Sequence, residues 1–301
     1  MIAALAVSGC NDPSDESSEC DEPEVDAEVL ACSAYTQDLV ARHDSVWWIA
    51  GVTGVLDSRS PPPAVFSAAD DGWRRIEHYG LTHTPTHIDM DDALAFGTTE
   101  AVFVDRGGRL DVLDDRGANG LQVVGMTVFW SSAEDGFIWR SDGDEATIAV
   151  QADHPIGVFD VAGDTFVWSR WDAPSLHSSM ENQPIAMAAT GVQDLAILGD
   201  RVIWVDIESG IHATPISGGR TQLLTADTLV TSIAFAEAHL YYGRGFDRGE
   251  LRRIPLAGGG ASELLLEYPP VSGVVDHVAI AGDHVYWSDS RIMRRRLDSF
   301  E

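Results

Sequence analysis

The sequence predicts an all-β protein: a β-propeller of four-stranded antiparallel blades, seven in number with six as the alternative, its ring closed by an N-terminal strand. Three observations predict it. A phrase reading apolar–Ala–apolar–x–Gly–Asp–x–apolar–aromatic–Trp recurs, most clearly at residues 278–287, 195–204 and 159–168. Its last aromatic recurs as Trp48, Trp130, Trp168, Trp204, Tyr242 and Trp287, with Val104 as a weaker seventh anchor. The three middle steps, 38, 36 and 38 residues, approach the length of one four-stranded blade. Units of this size cannot bury an apolar face alone, so they stack.

Each repeat reads as four strands. Apolar alternation on both sides of Gly-Asp marks a tight hairpin between the first two. A third strand follows a polar loop, at 136–140, 210–216, 250–256 and 291–297. A Gly-Gly turn (Gly218-Gly219, Gly258-Gly259) then leads to a short fourth strand at 221–224 or 263–266. The last repeat stops after its third strand, so residues 27–34, just ahead of the first blade, are expected to supply the missing outer strand and cover the sheet edge. That places Cys32 in the sheet. The 56-residue step from Trp48 to Val104 holds an insertion around residues 58–63, and the following 26-residue step leaves little room for a fourth strand.

Residues Tyr286-Trp287-Ser288-Asp289, followed by residues 292–298, resemble the blade of YWTD-type propellers. Similar blades occur in bacterial secreted propellers related to the TolB type. The resemblance covers about residues 36–301, strongly after Leu121 and poorly over residues 52–90. It implies the fold and says almost nothing about a ligand.

The chain divides into a signal-like segment (1–10), an acidic tether (11–28) and one propeller domain (29–301). Val7-Ser8-Gly9-Cys10 resembles a bacterial lipobox, which implies lipidation at Cys10 and a cell-envelope location, periplasmic or surface-facing; no basic residue precedes Arg42, a departure from the usual charged start. The tether carries nine acidic residues and too little apolar area to order itself. Cys20 and Cys32 remain, and in an oxidising envelope they suggest one disulfide, with two free thiols as the alternative.

Composition excludes some function classes. The formal charge is -29, all 19 basic residues are arginine, and phosphate backbones are repelled, so nucleic acid is not an expected partner. No run of 18 apolar residues exists to span a membrane. There is no Gly-x-Ser-x-Gly elbow, no phosphate-cradling glycine loop and no Cys-x-x-Cys.

Candidate sites follow from the fold. The residue before each innermost strand faces the central channel, and counting ten back from the anchors selects Asp38, Gly120, Val158, Asp194, Ser232 and His277, with Asp92 or Ala93 in the Val104 blade. Asp38, Asp92, Asp194 and His277 form a candidate metal set, for calcium or zinc; equally, short acids at strand starts cap backbone amides. His78, His83 and His87 cluster with Asp89, Asp91 and Asp92, and His83 or His87 is the candidate general base of a metal-dependent enzyme resembling the propeller lactonases and lyases. Pro85 rules out a helical His pair there. The leading expectation is different: an envelope-anchored, monomeric, non-enzymatic propeller that binds a protein or glycan through one face. The anchoring aromatics fill the core, whereas Trp73, Trp139 and Trp171 fall outside the anchor register, and Trp139 and Trp171 are the candidate partner-binding aromatics.

Overall fold

The computed structural model describes residues 27–32, 36–42, 45–50, 64–69, 72–75, 85–106, 109–132, 135–143, 145–245, 249–257, 260–268, 275–289 and 291–300. The signal-like segment, the tether with Cys10 and Cys20, the insertion at 58–63, and His78 and His83 lie outside them.

The strands form seven four-stranded antiparallel sheets arranged as a β-propeller. Blade 1 holds β2 (Thr36–Arg42), β3 (Ser45–Ala50), β4 (Ala64–Ala69) and β5 (Gly72–Arg75). Blade 2 holds β6 (Pro85–Met90), β7 (Leu94–Thr98), β8 (Val102–Asp105) and β9 (Leu110–Asp114). Blade 3 holds β10 (Gly120–Val124), β11 (Thr127–Ser131), β12 (Phe137–Ser141) and β13 (Thr147–Gln151). Blade 4 holds β14 (Ile156–Ala162), β15 (Thr165–Arg170), β16 (Ser175–Ser178) and the very short β17 (Ala186–Met187). Blade 5 holds β18 (Val192–Leu198), β19 (Arg201–Asp206), β20 (Gly210–Pro215) and β21 (Gln222–Thr225). Blade 6 holds β22 (Val230–Ala236), β23 (His239–Arg244), β24 (Glu250–Pro255) and β25 (Glu263–Glu267). Blade 7 joins β26 (His277–Ala281), β27 (His284–Ser288) and β28 (Arg291–Arg296) to β1 (Glu28–Cys32), so the N-terminal strand closes the ring as the sequence predicts. The two ends of the chain are further tied by Glu28 and Arg294, 2.7 Å apart.

The first strand of each blade is innermost, and these strands neighbour one another around the channel, β26 meeting β2. The turn after each innermost strand defines one face of the disc, here the hairpin face. The loops that lead into the innermost strands define the other, the loop face.

Seven hydrophobic clusters occupy the seven seams between blades, one each. Each anchor aromatic packs toward the blade before it: Trp204 against Val167 and Leu176 of blade 4, Trp287 against Tyr241 and Leu251 of blade 6. The ring N–H or hydroxyl of most anchors is spent on a neighbour, as a buried polar tip requires. Trp130 Nε1 donates to Asp114 (3.0 Å), Trp204 Nε1 to Thr214 (3.0 Å) and Trp287 Nε1 to the Tyr268 hydroxyl (2.8 Å).

One anchor differs from expectation. Ile88 pairs with Phe96 in the register that pairs Leu39 with Trp48 and Leu195 with Trp204, and Phe96 is fully buried. The blade 2 anchor is therefore Phe96, and Val104 lies one strand further out, on β8. The uneven steps of 56 and 26 residues become 48 and 34. The turn after β6 has three residues, Asp91-Asp92-Ala93, instead of Gly-Asp, which hid the repeat.

In blades 3, 4, 5 and 7 the two-residue inner turns carry glycine at positive φ in their first position: Gly125 (59°), Gly163 (59°), Gly199 (61°) and Gly282 (56°). With the second position at ordinary φ this is a type II′ turn, whose twist matches the strands. Blade 6 uses Glu237 there, at φ 50°. At the rim, blades 2, 3, 5 and 6 repeat one bulge between their third and fourth strands, with Leu113, Ala149, Leu224 and Leu265 as the extra residues. Such bulges twist an outer strand away from edge-to-edge pairing.

Glu237 tests the turn argument. A non-glycine residue at positive φ costs about 1–2 kcal/mol, and glycine's greater freedom in the unfolded chain costs about 0.5–1 kcal/mol. Glu237→Gly is therefore expected to stabilise the fold by roughly 0.5–1 kcal/mol, read as a higher urea midpoint; a lower midpoint would refute the turn assignment.

Candidate functional site: the channel and its two faces

The channel wall is built by one position in each inner strand, the residue before the anchor's partner: Asp38, His87, Gly120, Val158, Asp194, Ser232 and His277. In blades 1, 2, 5 and 6 a bulge one residue earlier, at Gln37, Thr86, Gln193 and Thr231, precedes this residue. Six of these positions are those selected from the sequence. In blade 2 the position is His87, because the anchor is Phe96; Asp92 is exposed on the turn at the hairpin face, and Ala93 is buried beside it.

These side chains fasten blade to blade. Asp38 accepts from its own following amide, Leu39 (2.8 Å), and from Ile88 of blade 2 (2.9 Å). Asp194 does the same with Leu195 (2.8 Å) and Ile233 of blade 6 (2.9 Å). Where the first channel position holds His87 or Val158, the carboxylate sits two residues further on. Asp89 accepts from Met90 (2.8 Å) and from Val123 of blade 3 (2.5 Å), and Asp160 from Val161 (2.7 Å) and Ile197 of blade 5 (2.6 Å). Ser232 accepts from Val278 of blade 7 (2.7 Å), and Asn119 donates to the Ile156 carbonyl of blade 4 (3.1 Å). His277 Nδ1 faces Asp38 Oδ1 at 3.9 Å across the seam between blades 7 and 1. Six seams thus carry a side-chain hydrogen bond at the channel, and at the seventh His277 and Asp38 face each other.

The pattern explains Gly120. A Cβ there would lie 3.1 Å from the Phe159 ring of blade 4, so blade 3 surrenders its channel side chain to the packing of its neighbour.

Electrostatics in the channel oppose ionisation. Burial, helped by neighbouring carboxylates and resisted by the two amide bonds, pushes Asp89 and Asp194 up to about 7. Burial likewise raises Asp160. It lowers His87, against the pull of Asp38, and thereby favours a neutral imidazole whose Nδ1 meets the Thr86 hydroxyl at 3.0 Å. These side chains are half-buried, and the protein around them sets the cost of charge.

The four predicted metal ligands are not brought together. Asp38 and His277 are neighbours, Asp194 is engaged at the seam between blades 5 and 6, and Asp92 is on the outer surface. Among the described residues no three His, Cys, Asp or Glu side chains converge as a ligand set. Of the two candidate bases, His87 is in the channel wall and His83 lies outside the described residues.

The candidate aromatics separate as well. Trp139 is half-buried: it packs against the cluster between blades 2 and 3, and the Arg116 guanidinium covers its ring at 3.8 Å. It is a packing residue, not the surface aromatic that the sequence suggests. Trp171 is 69% exposed, in the loop between β15 and β16 on the loop face. Trp73 lies on β5. Sequence reasoning missed Asp160, which sits two residues beyond the counted position Val158, and placed Asp89 only in the histidine cluster, since the blade 2 count had fallen on Asp92.

The latches predict a pH signature. Asp89 and Asp194 hold a proton to about 7 in the native state but only to about 4 when unfolded, so native protein binds more protons between those values. Stability from these two groups is full below about pH 4, declines as pH rises to about 7, and is flat above. In Asp194→Asn the decline between pH 4 and 7 is expected to shrink, in urea titrations across that range; an unchanged slope would show that Asp194 is not a titrating latch.

No family model and no curated protein matches the chain. Solved structures do. A chain in the crystal structure of a nidogen/laminin complex matches with a TM-score of 0.53 at 15% identity, covering 69% of this chain and 90% of that one. YCF48 bound to D1 peptide matches at 0.64 and 12% identity, covering 90% and 95%. The WD40 repeats of RRP9 match at 0.66 and 10% identity, covering 90% and 97%. At these identities the likeness is one of fold, and it agrees with a β-propeller.

Proposed function

We propose that this protein is a binding propeller without catalytic chemistry of its own, held at the bacterial cell envelope by a lipid on Cys10 and engaging a protein or glycan through one face of the disc. One observation carries the reading: the channel's carboxylates are committed to backbone amides of adjacent blades, whereas a large aromatic, Trp171, stands bare on the loop face. A carboxylate with both oxygens occupied by amides is a fastening, and reaction would first have to unfasten it. An exposed tryptophan costs nothing to desolvate further and supplies a large contact area. Two of the similar solved structures are complexes, one with laminin and one with a peptide.

The test has two readouts on the full chain. Metabolic labelling with an alkynyl fatty acid is expected to mark the wild type and to miss Cys10→Ser, which should move to the soluble fraction. Separated envelope components (peptidoglycan, lipopolysaccharide and outer-membrane proteins) are then titrated against the soluble protein. Saturable binding to one of them supports the reading. Absence of saturable binding, together with metal-dependent turnover of lactones or esters, would replace it with the enzyme.

A further inference from the structure

Blade 4 holds two imidazoles in contact. His154 sits in the loop between β13 and β14, and His177 lies on β16, paired with Trp168 of β15. Their ring centroids are 4.7 Å apart, and the Trp168 ring stacks on His177 at 5.8 Å and 14°. His154 is buried with both ring nitrogens engaged. Nδ1 meets the exposed Asp153 carboxylate, and Nε2 lies 3.4 Å from Trp168 Nε1.

An indole nitrogen only donates, so His154 Nε2 must accept and Nδ1 must carry the proton of the ring. The folded arrangement therefore selects one neutral tautomer. A second proton, on Nε2, would set N–H against N–H and break the bond to Trp168, although the Asp153 carboxylate offsets part of that cost. His177 Nε2 meets the Ser175 hydroxyl at 3.0 Å. Burial first, then His154 and Arg170, push the His177 imidazole down to about 4, with Asp153 pulling the other way. Asp172 nearby is held by Arg170 at 2.8 Å. Two imidazolium rings this close repel, so the pair titrates as a unit.

The rings stand where blade 4 is least fastened. β17 pairs with β16 only at Ser175–Met187 and Leu176–Ala186, the shortest outer ladder among the described strands. The Ile185 amide donates to the Leu176 carbonyl and the Ala188 amide to the Pro174 carbonyl, both at 2.8 Å. The Trp171 amide donates to the Pro155 carbonyl at 3.1 Å, which joins the loop after β15 to the loop that carries His154. Other ring histidines have a different neighbour. His212 stacks on Trp204 at 4.4 Å and burial lowers it, but Asp206 beside it favours its charge, as Asp38 does for His87.

The direction of the pH effect follows. Native His177 takes a proton only near 4, whereas an unfolded chain takes it near 6.5, so the unfolded state binds more protons between those values. Stability from this group is full above about pH 6.5 and is lost as pH falls toward about 4. Asp89 and Asp194 act in the opposite sense over much of this range, so acid tightens the channel while it loosens blade 4.

We propose that the His154–His177 pair is an acid-sensitive fastening, whose protonation releases the outer part of blade 4, from Trp171 to Ala188, while the ring stays closed. The released stretch carries Trp171 and Met187, so acid remodels this part of the loop face whether or not a partner docks there.

The test is hydrogen–deuterium exchange on the full chain carrying Cys10→Ser, at about pH 7.5 and about pH 5, corrected for intrinsic rates. Protection of the Ile185 and Ala188 amides is expected to fall about tenfold or more at the lower pH, while amides of β19 and β20 in blade 5 change less than about twofold. In the double variant His154→Gln, His177→Phe the glutamine oxygen can accept from Trp168 and the phenylalanine keeps the ring stack, yet neither titrates; the pH effect should vanish. NMR titration supplies a second readout: the His177 midpoint should lie well below about 6.5 and rise in His154→Gln. Equal protection at both pH values, the same loss in the double variant, a comparable loss in blade 5, or a His177 midpoint indifferent to His154→Gln would each overturn the proposal. Should the double variant fail to fold, the His177 midpoint in His154→Gln decides.

Discussion

The fold depends on closing a ring of separate sheets, each of which is too small to be stable alone. Adjacent blades share no hydrogen-bonded ladder, so their seams must be made by side chains. Two devices do this. A hydrophobic cluster, centred on an anchor aromatic that packs backward onto the preceding blade, supplies the bulk of the attraction. Near the axis, at five of the seven seams, a polar side chain, most often an aspartate, reaches forward to an amide of the following blade. Backward packing and forward bonding together give each seam a definite direction and register. The inner-strand amides that a neighbour's side chain caps would otherwise face the channel without a partner from either sheet.

That solution has an electrostatic consequence. Four carboxylates are brought toward one axis; at Asp89, Asp160 and Asp194 burial disfavours the charge, at Asp89 and Asp194 neighbouring carboxylates add to this, and the amide bonds oppose it. For Asp89 and Asp194 burial prevails, and the acids are half-protonated near neutrality. The channel is therefore a less negative place than a count of its aspartates suggests. On the loop face Arg116, Arg170, Arg244 and Arg291 are each held by a carboxylate. Near the axis, then, the polar side chains serve to hold the disc together.

Much of this was legible in sequence wherever a residue's role is local. The Gly-Asp hairpins, the strand that Glu28–Cys32 contributes to blade 7, and the burial of Trp48, Trp130, Trp204 and Trp287 all follow from short-range pattern. Six channel positions followed by counting from the anchors. Reading failed at blade 2, where a three-residue turn and a phenylalanine replace the usual signals, and the error carried Asp92 into the channel in place of His87. It failed again at Trp139, because nothing near that residue in sequence announces that Arg116 will cover it.

By itself, then, the sequence determined the repeat unit, the class of fold and the means of closure, since alternation, turn chemistry and repeat length act within a few dozen residues. Only the tertiary structure decided what the polar residues do. Asp194 meets Ile233, Asp38 meets Ile88 and Asp89 meets Val123 across seams that join parts of the chain 34 to 50 residues apart. An aspartate at a strand start looks the same in sequence whether it binds an ion, caps an amide or faces water. Its partner is chosen by the docking of whole blades, and that geometry exists only once the ring has closed.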